Sequence, residues 1–154
     1  MAQGLGYTAD LVPTAFASSA QTIFQLTASA ACPIAIHRIE VQSALTGSNQ
    51  AVFQLQAVIA SATGSGGGAA VTPRAIVQKN TTAAATSVNC GFTTPGAVSL
   101  ILHTWQWNAA TPFDIVLGKD IMVWEVPATK IFALNFIVSP ATGTYSGTIT
   151  FEEF

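Results

Sequence analysis

FQLQAVI, residues 53–59, places Phe53, Leu55, Ala57 and Ile59 on one side of an extended chain and Gln54 and Gln56 on the other. Successive side chains of a strand point to opposite faces, so a period of two with glutamine on the second face describes a half-buried β-strand. The same period returns near the C-terminus, where Ile149 and Phe151 alternate with Ser146, Thr148 and Thr150. Phe113, Ile115 and Leu117 alternate around Asp114 in the same way. Helical periodicity is nearly absent, and clusters of Gly, Pro, Ser or Asn separate the runs about every ten residues, which predicts an all-β protein.

Working outward, the pattern predicts about eight to ten strands: 22–28, 34–42, 51–59, 74–79, 86–92, 97–107, 113–117, 121–126, 130–138 and 145–151. Ile34 and Ile36 are out of phase with Ile39 and Val41, which predicts a β-bulge or a sheet corner at His37 and Arg38. That many strands without crossover helices fits an antiparallel β-sandwich of jelly-roll type better than a small closed barrel. Two strands are apolar on both sides. Met122, Trp124 and Val126 back onto Ile121 and Val123, and Phe132, Leu134, Phe136 and Val138 back onto Ile131, Ala133 and Ile137. A second apolar face needs cover from a loop, from the N-terminal segment or from another subunit.

Charge favours the subunit. Only 8% of the residues are charged and 50% are apolar, against about 25% charged in ordinary soluble domains. The uncharged stretches are interrupted by polar residues, Pro and Gly, so none offers the ~20 unbroken apolar residues of a membrane helix. No basic segment precedes an apolar run, because the first basic residue is Arg38, and no signal peptide is expected. A net charge of −2 with five scattered basic residues gives no footprint for nucleic acid. Cys32 and Cys90 are expected to be buried thiols rather than a disulfide, and with His37 and His103 they lack the spacing of a metal site.

Residues 1–17 read as an extended N-terminal arm outside a single domain of residues 18–154. Gly4 and Gly6 weaken any regular element there, while Leu5, Tyr7, Leu11, Val12 and Phe16 offer apolar anchors for docking onto a partner. Ser61–Ala70, SATGSGGGAA, reads as a flexible loop tip. It lacks the Gly-Lys-Ser/Thr ending of a phosphate-binding loop.

No catalytic set is expected. His103 lies in LHTWQWN without a nucleophile elbow, and a histidine beside two tryptophans is ordinarily a packed or interfacial side chain. Asp114, Asp120, Glu152 and Glu153 read as solvated edges, the last two pointing to opposite faces. Trp105 and Trp107 share a strand face that opposes Val98, Leu100 and Leu102, and they form either an interface anchor or a platform for a sugar ring. With Trp124 and the arm residues they are the candidate interface. No catalytic, cofactor or metal residue is assigned. Asn80-Thr81-Thr82 matches a glycosylation sequon, which means nothing without secretion.

The glycine-rich loop leading into AAVTPRAIVQKN (69–80), the strand WQWN (105–108), PFDIVLG (112–118), DIMVWEVPA (120–128) and the terminal SGTITFEE (146–153) resemble bacteriophage capsid decoration, or cement, proteins. The resemblance covers about the last 90 residues. It implies a virion protein that stabilises a phage head by sitting on its outer surface as a homotrimer bound to the major capsid protein, after synthesis in the host cytoplasm. The group's acidic stretch after the VTP segment is here Ile76, Val77, Gln78 and Lys79. The alternative from the residues alone is a carbohydrate-binding jelly roll, a lectin of the virion or its tail.

Overall fold

In a computed structural model the described residues are 4–16, 20–44, 52–77, 82–118, 123–137 and 143–154. They contain no helix, and so none long and apolar enough to cross a membrane. The strands are β1 (Leu5–Phe16), β2 (Gln21–Thr27), β3 (Ile34–Ser43), β4 (Val52–Ala60), β5 (Ala69–Val71), β6 (Arg74–Ala75), β7 (Ser87–Phe92), β8 (Val98–Asn108), β9 (Phe113–Val116), β10 (Trp124–Val126), β11 (Ile131–Phe136) and β12 (Gly143–Glu153). All pairings are antiparallel. The first sheet runs β10-β3-β12-β1-β6, with β9 also on β3, and the second runs β5-β7-β2-β11-β4-β8.

The topology is that of one long hairpin rolled up. β1 pairs with β12, β2 with β11, β3 with β9 and β10, and β4 with β8. Nested pairs distributed over two packed sheets make the jelly roll expected from the alternation. β5, β6 and β7 are inserted between β4 and β8, and they extend the sheets at the far edges.

The core is the space between the sheets. Phe53, Leu55 and Ala57 of β4 face Ile149 and Phe151 of β12 across one cluster of buried apolar side chains. One end is filled by rings: Trp107 lies nearly parallel to Phe136 with centroids 6.4 Å apart, and Phe136 and Phe16 pack on Tyr145 at 5.1 and 5.6 Å. The phase change in β3 is a bulge. Arg38 pairs with Thr150 and Ile36 with Phe151, so His37 is the extra residue.

Three readings need correction. The segment expected as an arm is β1, a strand between β12 and β6 that aligns with β12 from Leu5↔Glu153 to Phe16↔Gly143. Tyr7, Ala9 and Leu11 point into the core and alternate with Thr8 and Asp10, a period-two signal that the flanking glycines obscured. Gly4 is required by contact rather than by freedom, since a Cβ there would lie 2.6 Å from the Glu153 carbonyl oxygen. A bulge between Leu11 and Thr14 accommodates Pro13, which has no N–H for the ladder, and turns Val12 outward.

The second correction concerns Ser61–Ala70, which is docked rather than loose. Gly64 N donates to Gln25 Oε1 at 2.8 Å, and Ser65 and Thr94 exchange backbone hydrogen bonds. Gly66 and Gly67 take positive φ (74° and 72°), the left-handed region that favours glycine. A Cβ on Gly68 would lie 2.1 Å from the Phe92 ring.

The third is the cover expected from a neighbour on the strand 130–138. Both faces of β11 are buried within the chain itself. Ala133 lies in register with Gln25 and Val58 on the outer face, under the docked loop, and Thr22 Oγ1 donates to Asn135 Oδ1 at 2.8 Å. The companion claim for 121–126 rests partly on Ile121 and Met122, outside the described residues, as do Asp120, Val138 and most of the sequon. Of the rest of that strand, Trp124 and Val126 face the core and Glu125 faces out.

Candidate functional site

The strands of the two sheets are divided by charge. Asp10, Arg38, Glu40, Arg74, Asp114, Glu125, Glu152 and Glu153 all lie on strands of the first sheet. No strand of the second sheet carries Asp, Glu, Lys or Arg.

On the outer face of the first sheet, register sets Asp10, Thr148, Glu40 and Asp114 side by side across β1, β12, β3 and β9. Like charges opposite one another are unfavourable. The adjacent row answers them with Arg74 and Arg38, aligned through Thr8 and Thr150. Arg38 donates Nε to Asp114 Oδ1 at 3.0 Å and Nη2 to Oδ2 at 2.8 Å, a two-bond fork, and also meets Glu40 Oε1 at 3.0 Å. The hydrogen bonds from Arg38 hold the Asp114 carboxyl below its ordinary range, and the same fork raises the Arg38 guanidinium. Asp10 pairs with Arg74 and accepts from Thr148 Oγ1.

A shallow depression of about 330 Å³ lies over this row, lined by Asp10, Leu11, Glu40, Gln42, Ser146, Gly147 and Thr148. Both of its carboxylates are committed to arginines, which leaves neither poised as an acid or base. Among the described residues no three His, Cys, Asp or Glu side chains gather as a metal would require.

The terminal carboxylates are not the solvated pair expected. Glu152 Oε2 meets His37 Nε2 at 3.0 Å. Glu153 is buried, and its carboxylate accepts from Thr86 N at 2.6 Å and Ala85 N at 3.2 Å. Its acceptor bonds replace the lost water and pin the 82–86 segment to the end of β12. Cys32 and Cys90 are free thiols, but only Cys90 is buried, and that burial pushes its thiol up to about 12.

The candidate interface residues fall into two sets. Tyr7, Leu11 and Phe16 belong to the core, as do Trp107, 4% exposed, and Trp124, 7% exposed. They are packing residues of the chain's own sandwich and do not present a surface. Trp105 and Trp107 share a face, as expected, but it is the inner face. Trp107 Nε1 donates to Thr111 O at 2.7 Å, so even its polar edge is used. Leu5, Val12 and His103 remain exposed and Trp105 is half-buried.

Trp105 sits where the second sheet's edge faces the first sheet, 5.3 Å from Phe113 and 5.5 Å from Trp124, with His103 4.7 Å away on its solvent side. The expected opposition to Val98, Leu100 and Leu102 does not hold. Register shifts between Ala57 and Val58 and between Ile59 and Ala60 make Leu102 and Ser99 the extra residues of two bulges, and Leu102 packs on the core. Val98, Leu100 and Ile101 are left 45%, 57% and 55% exposed at the edge.

That exposed apolar edge, rather than the tryptophans, is what sequence reasoning missed. The signal is VSLI at 98–101 in a stretch without charge from 80 to 113, but bulges decide which of these side chains reach solvent. Comparison with protein-family models, with curated proteins and with solved structures found no match.

Proposed function

We propose that this protein is a structural virion protein that decorates and stabilises a phage head, bound as a homotrimer to the major capsid protein on the outer capsid surface. The observation that carries the reading is the division of the strands by charge: one sheet carries all the charged strand residues, Asp10, Glu40 and Asp114 paired with arginines, and the other carries none and ends in a strand with exposed apolar side chains. An uncharged polar and apolar surface is suited to close contact with protein, where isolated charges would have to be desolvated. Committed carboxylates and a histidine packed on tryptophan favour an assembly role over chemistry. The trimer and the capsid partner rest on the sequence resemblance.

The carbohydrate reading retains one ring. With Trp107 buried, Trp105 alone, flanked by His103, is left for a sugar to stack on. The test is co-sedimentation of purified protein with heads assembled from the major capsid protein encoded nearest to it, beside a glycan array. Saturable binding in copy numbers divisible by three, with a blank array, is the expected result. Heads that sediment bare, or glycan binding that Trp105→Ala abolishes, would overturn it.

A further inference from the structure

We infer that β8 is a strand-pairing edge, and that its occupant is β8 of a second copy of this chain, joined about a twofold axis. β8 is hydrogen-bonded along one side to β4, from Val52↔Asn108 to Ala60↔Val98, and it is the last strand of its sheet, so its other side faces no strand among the described residues. An open edge presents N–H and C=O groups at strand spacing, and the ligand that matches this spacing is another strand.

Open edges are normally guarded by shortness, by charge, by proline or by bulges. The other edges of this protein are guarded. β5, β6, β9 and β10 have between two and four residues each. β1, which extends beyond its short partner β6, carries Asp10, Pro13 and a bulge along its open side. β8 is eleven residues long, without charge or proline, and its two bulges lie in its first half. His103–Asn108 is left regular and unguarded.

Length and charge together select the occupant. No other open, regular edge among the described residues matches His103–Asn108, whereas a second β8 matches it by construction, and antiparallel pairing of a strand with itself is necessarily twofold. Neither copy brings a charge to the seam, so like meets like without repulsion. Pairing centred near Trp105 and Gln106 also carries Ile101 of one copy to the 109–111 turn of the other, covering an apolar side chain that the single chain leaves exposed. The two second sheets then form one continuous sheet of twelve strands. This seam goes beyond the head-binding reading: it joins two free chains where no threefold contact forms, and two trimers where one does.

The test is the solution mass of the full chain by light scattering, with that of an Ile101→Lys/Gln106→Lys variant, both sites being exposed. The wild type is expected at an even copy number and the variant at half of it, with a cooperative melting transition retained and its midpoint no longer dependent on protein concentration through this seam, while Val116→Lys on the first sheet leaves the mass as in wild type. Amide exchange supplies a second readout that folding alone does not move. The β8 N–H groups pointing away from β4 should be protected about tenfold or more in wild type and unprotected in the double variant. A wild type that is monomeric or trimeric, a variant of unchanged mass, or outward amides that exchange freely would each overturn the seam. The head-binding reading is tested separately, because its failure is bare heads with the wild type whatever the mass.

Discussion

The two sheets of this sandwich share one core and differ in the charge their strands carry. The first sheet exposes one row of carboxylates beside one row of guanidinia, aligned by strand register. The second docks its own glycine loop on Gln25 and exposes amides, hydroxyls and aliphatic side chains on β4 and β8. Charge shortage is therefore a local property. The ordinary ion pairs that keep a surface hydrated are gathered on one side, and the other side is left to be covered, which is why the assembly reading attaches to β8 and not to the molecule as a whole.

The largest effect on the shared core is expected from β1. Removing residues 1–17 takes out a strand of the first sheet together with Tyr7, Leu11 and Phe16 of the common core. The expected outcome is loss of the cooperative thermal transition and of the near-ultraviolet signal of the aromatic core. A truncated chain that still melted sharply would restore the reading of this segment as a tether.

A smaller and sharper probe is the pair of tryptophans on β8. Trp107 is enclosed by Phe53, Phe113, Phe136 and Tyr145, so Trp107→Ala should cost about 3–5 kcal/mol. Half-buried Trp105 should cost less, about 1–2 kcal/mol on substitution by alanine, by the area it removes from water. Denaturant titration of both variants measures the ordering. Equal losses would mean that the edge is packed as tightly as the interior.

The smallest effect is expected on the charged side. Arg38→Ala removes the fork to Asp114, both groups being well exposed, so the melting temperature at neutral pH should hardly move. The sign is still defined. Asp114 has a depressed folded pKa, so its contribution is present above the ordinary carboxylate range and lost as pH falls through the depressed value. The small difference between Arg38→Ala and wild type should therefore be largest near neutral pH and shrink in acid, as pH falls through the depressed Asp114 value. A difference that grew in acid would assign the effect to something other than this pair.

The fold class, most of the strands and the change of phase at His37 and Arg38 were legible in the sequence, while the choice of a bulge over a sheet corner there came from the pairing with β12. The reason is that side-chain alternation at period two is a local record of which face is buried, and Phe53–Ile59, Phe113–Leu117 and Ser146–Phe151 each carry it over most of their length. It left β1 hidden, because whether Tyr7, Ala9 and Leu11 form a strand depends on a partner some 140 positions away, where β12 supplies the ladder. It also left open whether the glycine loop is slack or docked, since that turns on Gln25 and Phe92 meeting it from other strands. Which tryptophan reaches the surface, and which aliphatic side chains share the edge with it, was decided only by the tertiary structure. Two one-residue bulges in β8 shift its alternation twice, and a bulge is defined only by pairing with the neighbouring strand, here β4.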